Sequence, residues 1–559
     1  MSKSIQTIFF LSLIILLGSY AMRDFFVPGY WESHDGIIHV MRLAHFDEAL
    51  KQGQFPVRYL STWMSGYGSA VFNFNWSLPY YGASLFHRIG ASFETSFKLV
   101  LIISFILSGV FAFLFLDELF RLKFAAFVGS VIYLWAPYRF TDIFIRGAIG
   151  EACAFIFLPL LFWLATRAAN QKSPLSLWVT VVWALFILTH NLIALFTLPL
   201  YGIYVLFLGI NLKFNRRWWK SVLLTFCGGL GFSAFFWLPA IWETPYINYF
   251  HGYGTIAQQF PSLSAIIYSP WKYAYSTPIN QAVSMSFQVG VVGLVLTVLL
   301  IGGLLLQWKR RKETVWIVGF VFITIYIGML YLSSDLAKPL YSLIRSSNII
   351  GFPWRFLTFA TFAASVIAAA LVGLFRRVGL VIGIASVIIS IFFYYSTAHI
   401  VSWRLHFNDD QYRAMVRTNI GFTPDIEFLP SGTDFIALLE TKSKPADIEF
   451  FTSSDRGVSV ENFKQQNLSF SAIIKTLQST TIYAHQYYFP GWVVWIDDQR
   501  LIPLKDTSGL MQFPLAAGLH HVRLAFENTP IRLLANGLSI ISLIGLVMVA
   551  SYNYLSKRT

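Results

Sequence analysis

The sequence predicts an α-helical integral membrane protein of about twelve transmembrane helices with a β-rich domain near its C-terminus. Three observations carry that reading. Hydrophobic residues make up 56% of the 559-residue chain and charged residues only 12%, with a mean hydropathy of +0.60, far from a soluble globular average. Several apolar runs reach the roughly 20 residues that a helix needs to cross the hydrocarbon core. Lysines and arginines gather in the short loops between those runs, on the side that the positive-inside rule assigns to the cytoplasm. Topology thus accounts for the net charge of +14, and no nucleic-acid partner is expected.

The run 5–22 follows Lys3 and has no small-residue cleavage pattern behind it, so it reads as a retained helix. An outer loop over 24–96 separates it from a helix over 97–116, which returns to Arg121 and Lys123. Runs 124–136 and 151–166 flank Pro137-Tyr138-Arg139, and Pro159 lies inside the second. Helices over 175–189 and 192–210 meet at a tight outer turn, Thr189-His190-Asn191, before the inner Lys213, Arg216, Arg217 and Lys220. Run 221–241 opens a second outer loop reaching 285, and run 287–307 returns to the strongest inner anchor, Lys309-Arg310-Arg311-Lys312. Run 314–333, a third outer loop over 334–353, and runs 354–374 and 379–396 follow; 533–553 closes at Lys557 and Arg558. An even number of crossings puts both termini in the cytoplasm. The expected domains are 1–396 (transmembrane), 397–530 (extracytoplasmic and β-rich) and 531–559 (last helix and tail).

The β-rich reading rests on turn chemistry. Tyr487-Tyr488-Phe489-Pro490-Gly491-Trp492-Val493-Val494-Trp495-Ile496 reads as strand broken at Pro-Gly, Asp497-Asp498 as the next turn, and 521–526 as a closing strand. Cys153 and Cys227 both lie in apolar runs and specify neither a disulfide framework nor a metal site.

Candidate chemistry begins just past the first helix, in Trp31-Glu32-Ser33-His34-Asp35-Gly36-Ile37-Ile38-His39-Val40-Met41-Arg42. If this stretch is helical, Glu32, Asp35, His39 and Arg42 fall within an arc of roughly 80°. Carboxylates, an imidazole and a guanidinium at a membrane surface suit base- or metal-assisted chemistry on a phosphorylated lipid; the plainer alternative makes Asp35 a helix N-cap. Aromatics mixed with Gly and Pro follow, from Gly53 to Tyr81, and fit chain lying in the headgroup layer. Arg139, Arg146 and Arg355 flank helices at the outer face, where guanidinium groups grip phosphate bidentately or pair with Asp142 and Glu151. His190, Asn191 and Glu243 are further candidates for a substrate cavity, beside Glu151.

These stretches, with Arg146-Gly147, Leu188-Thr189-His190-Asn191 and Gly351-Phe352-Pro353-Trp354-Arg355-Phe356, resemble the bacterial membrane proteins termed 6-pyruvoyl-tetrahydropterin synthase-related. They are also similar to the GT-C class of membrane glycosyltransferases. Phe489-Pro490-Gly491-Trp492 and 515–520 resemble the C-terminal region of YfhO-like proteins. The GT-C resemblance implies a sugar donor linked to polyprenyl phosphate, inverting transfer at the outer face of a bacterial cytoplasmic membrane, and an acid in the first outer loop. Asp35 matches that position, with Glu32 or His39 as second acid or metal ligand, and Arg355, Arg42, Arg139 and Arg146 for phosphate. A divalent cation, Mg or Mn, would suit such a carboxylate, and the acceptor would be a glycan, lipid or protein. Pterin chemistry is not expected, because the soluble pterin synthases hold zinc through a His-x-His pair that this chain lacks. The rival readings are a non-catalytic lipid or glycolipid transporter and a cell-envelope assembly factor.

Overall fold

The computed structural model describes residues 2–555 except 214, 249–255, 280–282, 345–349, 403, 416–425 and 434–448. Lys557 and Arg558 lie outside the described residues, as do parts of the second and third outer loops and of the 397–530 segment. Among the described residues, eight helices are long and apolar enough to cross a bilayer: Lys3–Ala21, Phe93–Phe120, Ile149–Asn170, Asn191–Ile210, Thr314–Ser333, Pro353–Leu374, Arg377–Tyr394 and Pro530–Ser551. A ninth span results if the pair Arg216–Phe232 and Ala234–Tyr246, bent by 66°, is counted as one. Three shorter apolar helices, Lys123–Leu134, Trp178–Thr189 and Val291–Leu306, fall where the remaining apolar runs lie.

The chain forms two compact units, each discontinuous in sequence: Met1–His39, Glu94–Leu230 and Tyr253–His406 form the first; Val40–Phe93, Gly231–Gly252 and Phe407–Thr559 the second. In the first unit the helix Leu357–Leu374 is the most enclosed, with 94% of its span buried. Its small residues explain why. Six alanines let neighbours approach closely, and a Cβ added at Gly129 would stand 2.5 Å from the Ser365 carbonyl. Helices 123–134, 291–306 and 314–333 pack against it. A short ladder, β1 (Tyr30–Trp31) with β2 (Arg404–Leu405), ties the chain after the first helix to the chain after Arg376–Tyr394.

The second unit carries two antiparallel sheets. Strands β3 (Phe451–Thr452), β4 (Val458–Gln466), β5 (Ser469–Thr476), β6 (Thr480–Tyr487), β7 (Trp492–Ile496), β8 (Gln499–Leu501), β9 (Leu504–Lys505), β10 (Leu510–Leu515) and β11 (Gly518–Phe526) assemble in the orders β3-β6-β10-β9 and β4-β5-β11-β7-β8. Alternation drives the packing: Phe470, Ala472 and Ile474 of β5, and Met511, Phe513 and Leu515 of β10, turn inward. The turns fall as the sequence predicts. Gly491 takes φ +108 between β6 and β7, and Asp497 and Asp498 (φ +47 and +69) close the two-residue β7–β8 hairpin.

The aromatic loop from Gly53 to Tyr81 differs from its headgroup expectation. Tyr59, Phe72 and Tyr80 are buried within the second unit. The Tyr59 hydroxyl donates to the Tyr487 carbonyl (2.9 Å), its ring meets Trp492 edge-on, and Gln486 Nε2 donates to the carbonyls of Ser61 and Gly66. The loop is a seat for the β strands, and Tyr59, Phe72 and Tyr80 are core residues.

Candidate functional site

The expected helical face of Glu32, Asp35, His39 and Arg42 does not form. Tyr30–Trp31 is strand, the chain turns through 32–35, and the helix Gly36–Lys51 starts only afterwards. Glycine permits the turn: a Cβ at Gly36 would collide with the Tyr30 hydroxyl and Ser33 Oγ. The His34 and Asp35 amides donate to the Ile145 and Arg146 carbonyls (3.0 and 2.8 Å), while the Asp35 carbonyl accepts the first helical bond, from His39 (2.9 Å). Asp35 is therefore at the helix start, as the plainer reading expected, but its side chain is exposed. It lies within Coulombic reach of Arg146.

Arg146 ends a π-helical turn, Thr141–Arg146, a device often found at functional sites, and Gly147 at φ +67 reverses the chain. Its Nη1 donates to Asp142 Oδ1 (2.5 Å) and Glu151 Oε2 (2.7 Å), and its guanidinium lies over Trp354 (4.5 Å). Glu151 Oε1 accepts from the Tyr138 hydroxyl (2.8 Å) and Thr358 Oγ1 (2.7 Å). Burial, and next the Glu151 charge, pushes Asp142 well above the usual carboxylate range. Arg146 and Arg355 thus both face Glu151, Arg146 through a direct hydrogen bond. Arg355 reaches Glu151 only at 3.9 Å, stacks on Phe352 (4.9 Å), and keeps a buried Nε with no hydrogen-bond partner among the described residues. A partly buried cation so weakly paired suits an anionic ligand.

The remaining candidates spread out. Arg139 is 1% exposed, donates to Ser108 Oγ (2.8 Å), and is enclosed by the rings of Phe105, Tyr133 and Phe155. His190 caps the helix Asn191–Asn211, its Nδ1 accepting from the Ile193 amide (3.2 Å), within Coulombic reach of Arg355 and Glu151. Asn191 Oδ1 accepts from the Leu192 amide in the same turn. His39 is buried beside Phe97, with ring centroids 6.2 Å apart, and Glu32 is half-buried with Oε2 unpartnered. Arg42 and Glu243 belong to the second unit, Arg42 over Trp63. Glu243, expected at a cavity, is saturated by Asn73, Thr529 and Arg532. Among the described residues, no three His, Cys, Asp or Glu side chains converge as a metal ion would require.

Sequence reasoning missed Thr358, Tyr273 and the role of His34. Thr358 carries no local signal, since it meets Glu151 across 207 residues. His34 stood inside the opening cluster: its Nε2 lies 2.7 Å from the Ala274 carbonyl and its ring 5.3 Å from that of Tyr273. Burial, and then the Glu32 and Asp35 charges, pushes the Tyr273 hydroxyl up to about 12.

An uncharacterized protein of Lactococcus lactis subsp. cremoris (strain MG1363) is 26% identical over 240 residues, 42% of this chain and 39% of that relative. The chain thus covers well under half of that relative's length. The profile of the 6-pyruvoyl-tetrahydropterin synthase related domain, a membrane protein family, matches residues 72–401, a stretch holding Arg146, Glu151 and Arg355 but beginning after Asp35. With more than half of its length matched, the chain belongs to the 6-pyruvoyl-tetrahydropterin synthase-related family of membrane proteins.

Proposed function

We propose that this membrane protein transfers a sugar from a polyprenyl-phosphate donor to an extracytoplasmic glycan, lipid or protein, in the manner of GT-C glycosyltransferases. The reading takes the eight long helices, the bent pair and the three shorter apolar helices as twelve crossings of the bacterial cytoplasmic membrane, both termini inside. The 397–530 segment is then extracytoplasmic and presents the acceptor. One observation carries the chemistry: Asp35, its side chain exposed, is tied by its backbone amide to the carbonyl of Arg146, whose guanidinium shares Glu151 with the under-paired Arg355. Asp35 removes the proton from the acceptor hydroxyl, and the oxygen attacks the anomeric carbon. The bond from that carbon to the phosphate oxygen breaks with inversion, and Arg355 and Arg146 receive the phosphate anion.

The test is transfer from a labelled polyprenyl-phosphate sugar by the purified full-length protein in detergent. Asp35→Asn should lower the rate by about 10²–10⁴ with the fold intact. Arg355→Ala should raise the donor KM more than it lowers the rate at saturation. A chelator that leaves the wild-type rate unchanged marks Asp35 as a base and not a cation ligand. Equal rates for wild type and Asp35→Asn would remove Asp35 from the reaction. No transfer by wild type with any donor would put the transporter reading ahead.

A further inference from the structure

The opening turn holds two buried acceptors that no group among the described residues satisfies. His34 Nε2 faces the Ala274 carbonyl at 2.7 Å. A carbonyl only accepts, so Nε2 carries the ring proton and Nδ1 presents a lone pair. Nδ1 is buried without a hydrogen-bond partner, and so is Glu32 Oε2, two residues earlier. Leaving such groups unpaired is costly, so they mark a place where something else supplies the donors.

The ring is also held still. Its backbone amide is bonded to Ile145, Ala274 fixes one nitrogen and Tyr273 flanks one side. We propose that His34 Nδ1 and Glu32 Oε2 accept hydrogen bonds from hydroxyls of a sugar bound beside Asp35, with the Tyr273 ring as its wall. This deepens the transfer reading and rests on it.

The chemistry selects a polyol. Phosphate oxygens only accept at neutral pH, so they gain nothing from two acceptors and a carboxylate; phosphate belongs with Arg146 and Arg355. A sugar brings several hydroxyl donors and an apolar face that suits an aromatic ring. Burial lowers the tendency of His34 to take a second proton, which keeps the Nδ1 lone pair available at neutral pH.

Two substitutions separate the nitrogens. His34→Gln retains a donor near Nε2 for Ala274 but no acceptor at Nδ1, whereas His34→Asn retains an acceptor at Nδ1. Binding of methyl glycosides to the full-length protein in nanodiscs, read by saturation-transfer NMR, should weaken about tenfold in His34→Gln and less in His34→Asn. Glu32→Gln should weaken it as well, and serves if His34→Gln fails to fold. Binding of a polyprenyl phosphate without sugar should be unchanged in all three. Glycoside binding that is unchanged in His34→Gln and Glu32→Gln overturns the inference. So does a wild type that binds polyprenyl phosphate through Arg355 but no glycoside, which leaves the transfer reading standing. Glycoside binding that depends on His34, without any transfer, supports the sugar site and sinks the transfer reading instead.

Discussion

Glu243 and Glu151 are both buried carboxylates facing arginines, one in each unit, yet their surroundings differ in kind. Around Glu243 every valence is used. Oε1 accepts from Thr529, and Oε2 accepts from Asn73 and twice from Arg532, whose Nη2 also donates to the Pro490 carbonyl. Asn73 Oδ1 in turn accepts from Arg58, which reaches the Phe235 carbonyl and Asn536. That network staples the first loop, the helix Ala234–Glu243 and the last helix. Around Glu151 the accounting stays open: Asp142 Oδ2 and Arg355 Nε are buried and unpartnered, and an exposed acid stands nearby. Similar residue types make a saturated clasp in one unit and an under-paired cluster in the other, and saturation distinguishes them.

The comparison breaks most readily at Glu243. Glu243→Ala strands the Arg532 charge in the interior and should destabilise the second unit by about 3–5 kcal/mol, measured by denaturant unfolding in detergent. Glu243→Met combined with Arg532→Leu removes both charges and should recover most of that loss. A double variant no better than Glu243→Ala would mean that geometry, not charge pairing, dominates the clasp.

Gly147→Ala tests the open cluster at the next level. Its Cβ would stand 2.6 Å from Ser33 Oγ and 2.8 Å from the Gly36 backbone, and the position holds φ +67. The strain is of order 1–3 kcal/mol, and the local escape is to push the 33–36 turn away from Arg146. Transfer should therefore fall further than stability does. A loss confined to stability would separate the turn from the chemistry. Arg355→Ala is smaller still on this scale: no hydrogen bond to Glu151 is lost, so unfolding should shift by less than about 1 kcal/mol while donor affinity falls. A shift as large as that of Glu243→Ala would class Arg355 with the clasp.

Physical reasons explain which features were legible in the sequence. A membrane helix must satisfy its own backbone, so each apolar run between basic flanks announced a helix, and Asp497-Asp498 announced a hairpin. Arg146, Glu151 and Arg355 were identifiable because buried charge is costly enough to be rare. What stayed hidden was long-range. The helical face of 32–42 failed because Tyr30–Trp31 pairs with Arg404–Leu405, a constraint absent from local periodicity. The aromatic loop looked interfacial because its partners Gln486, Tyr487 and Trp492 lie more than four hundred residues away. Glu243 resembled a cavity residue for the same reason, since Arg532 and Thr529 are distant in sequence.

The smallest effect lies on the surface of the β sheets, where Asp497 closes the β7–β8 turn. Its carboxylate pairs with His520 Nδ1 (2.6 Å) and accepts from the His521 amide (2.8 Å). Those bonds, the His520 contact foremost, hold Asp497 below the ordinary carboxylate value. A depressed folded-state value means that the unfolded chain takes up a proton first as the solution is acidified. The contribution is therefore complete above the unfolded value near pH 4 and is lost as pH falls through the folded value. Asp497 is solvent-exposed, so screening keeps the effect small and salt-dependent. Asp497→Asn should flatten the acid limb of the melting temperature below about pH 4 and leave neutral-pH transfer unchanged. An acid limb that survives the substitution undiminished would shift this acid sensitivity away from the Asp497 turn, to carboxylates elsewhere in the protein.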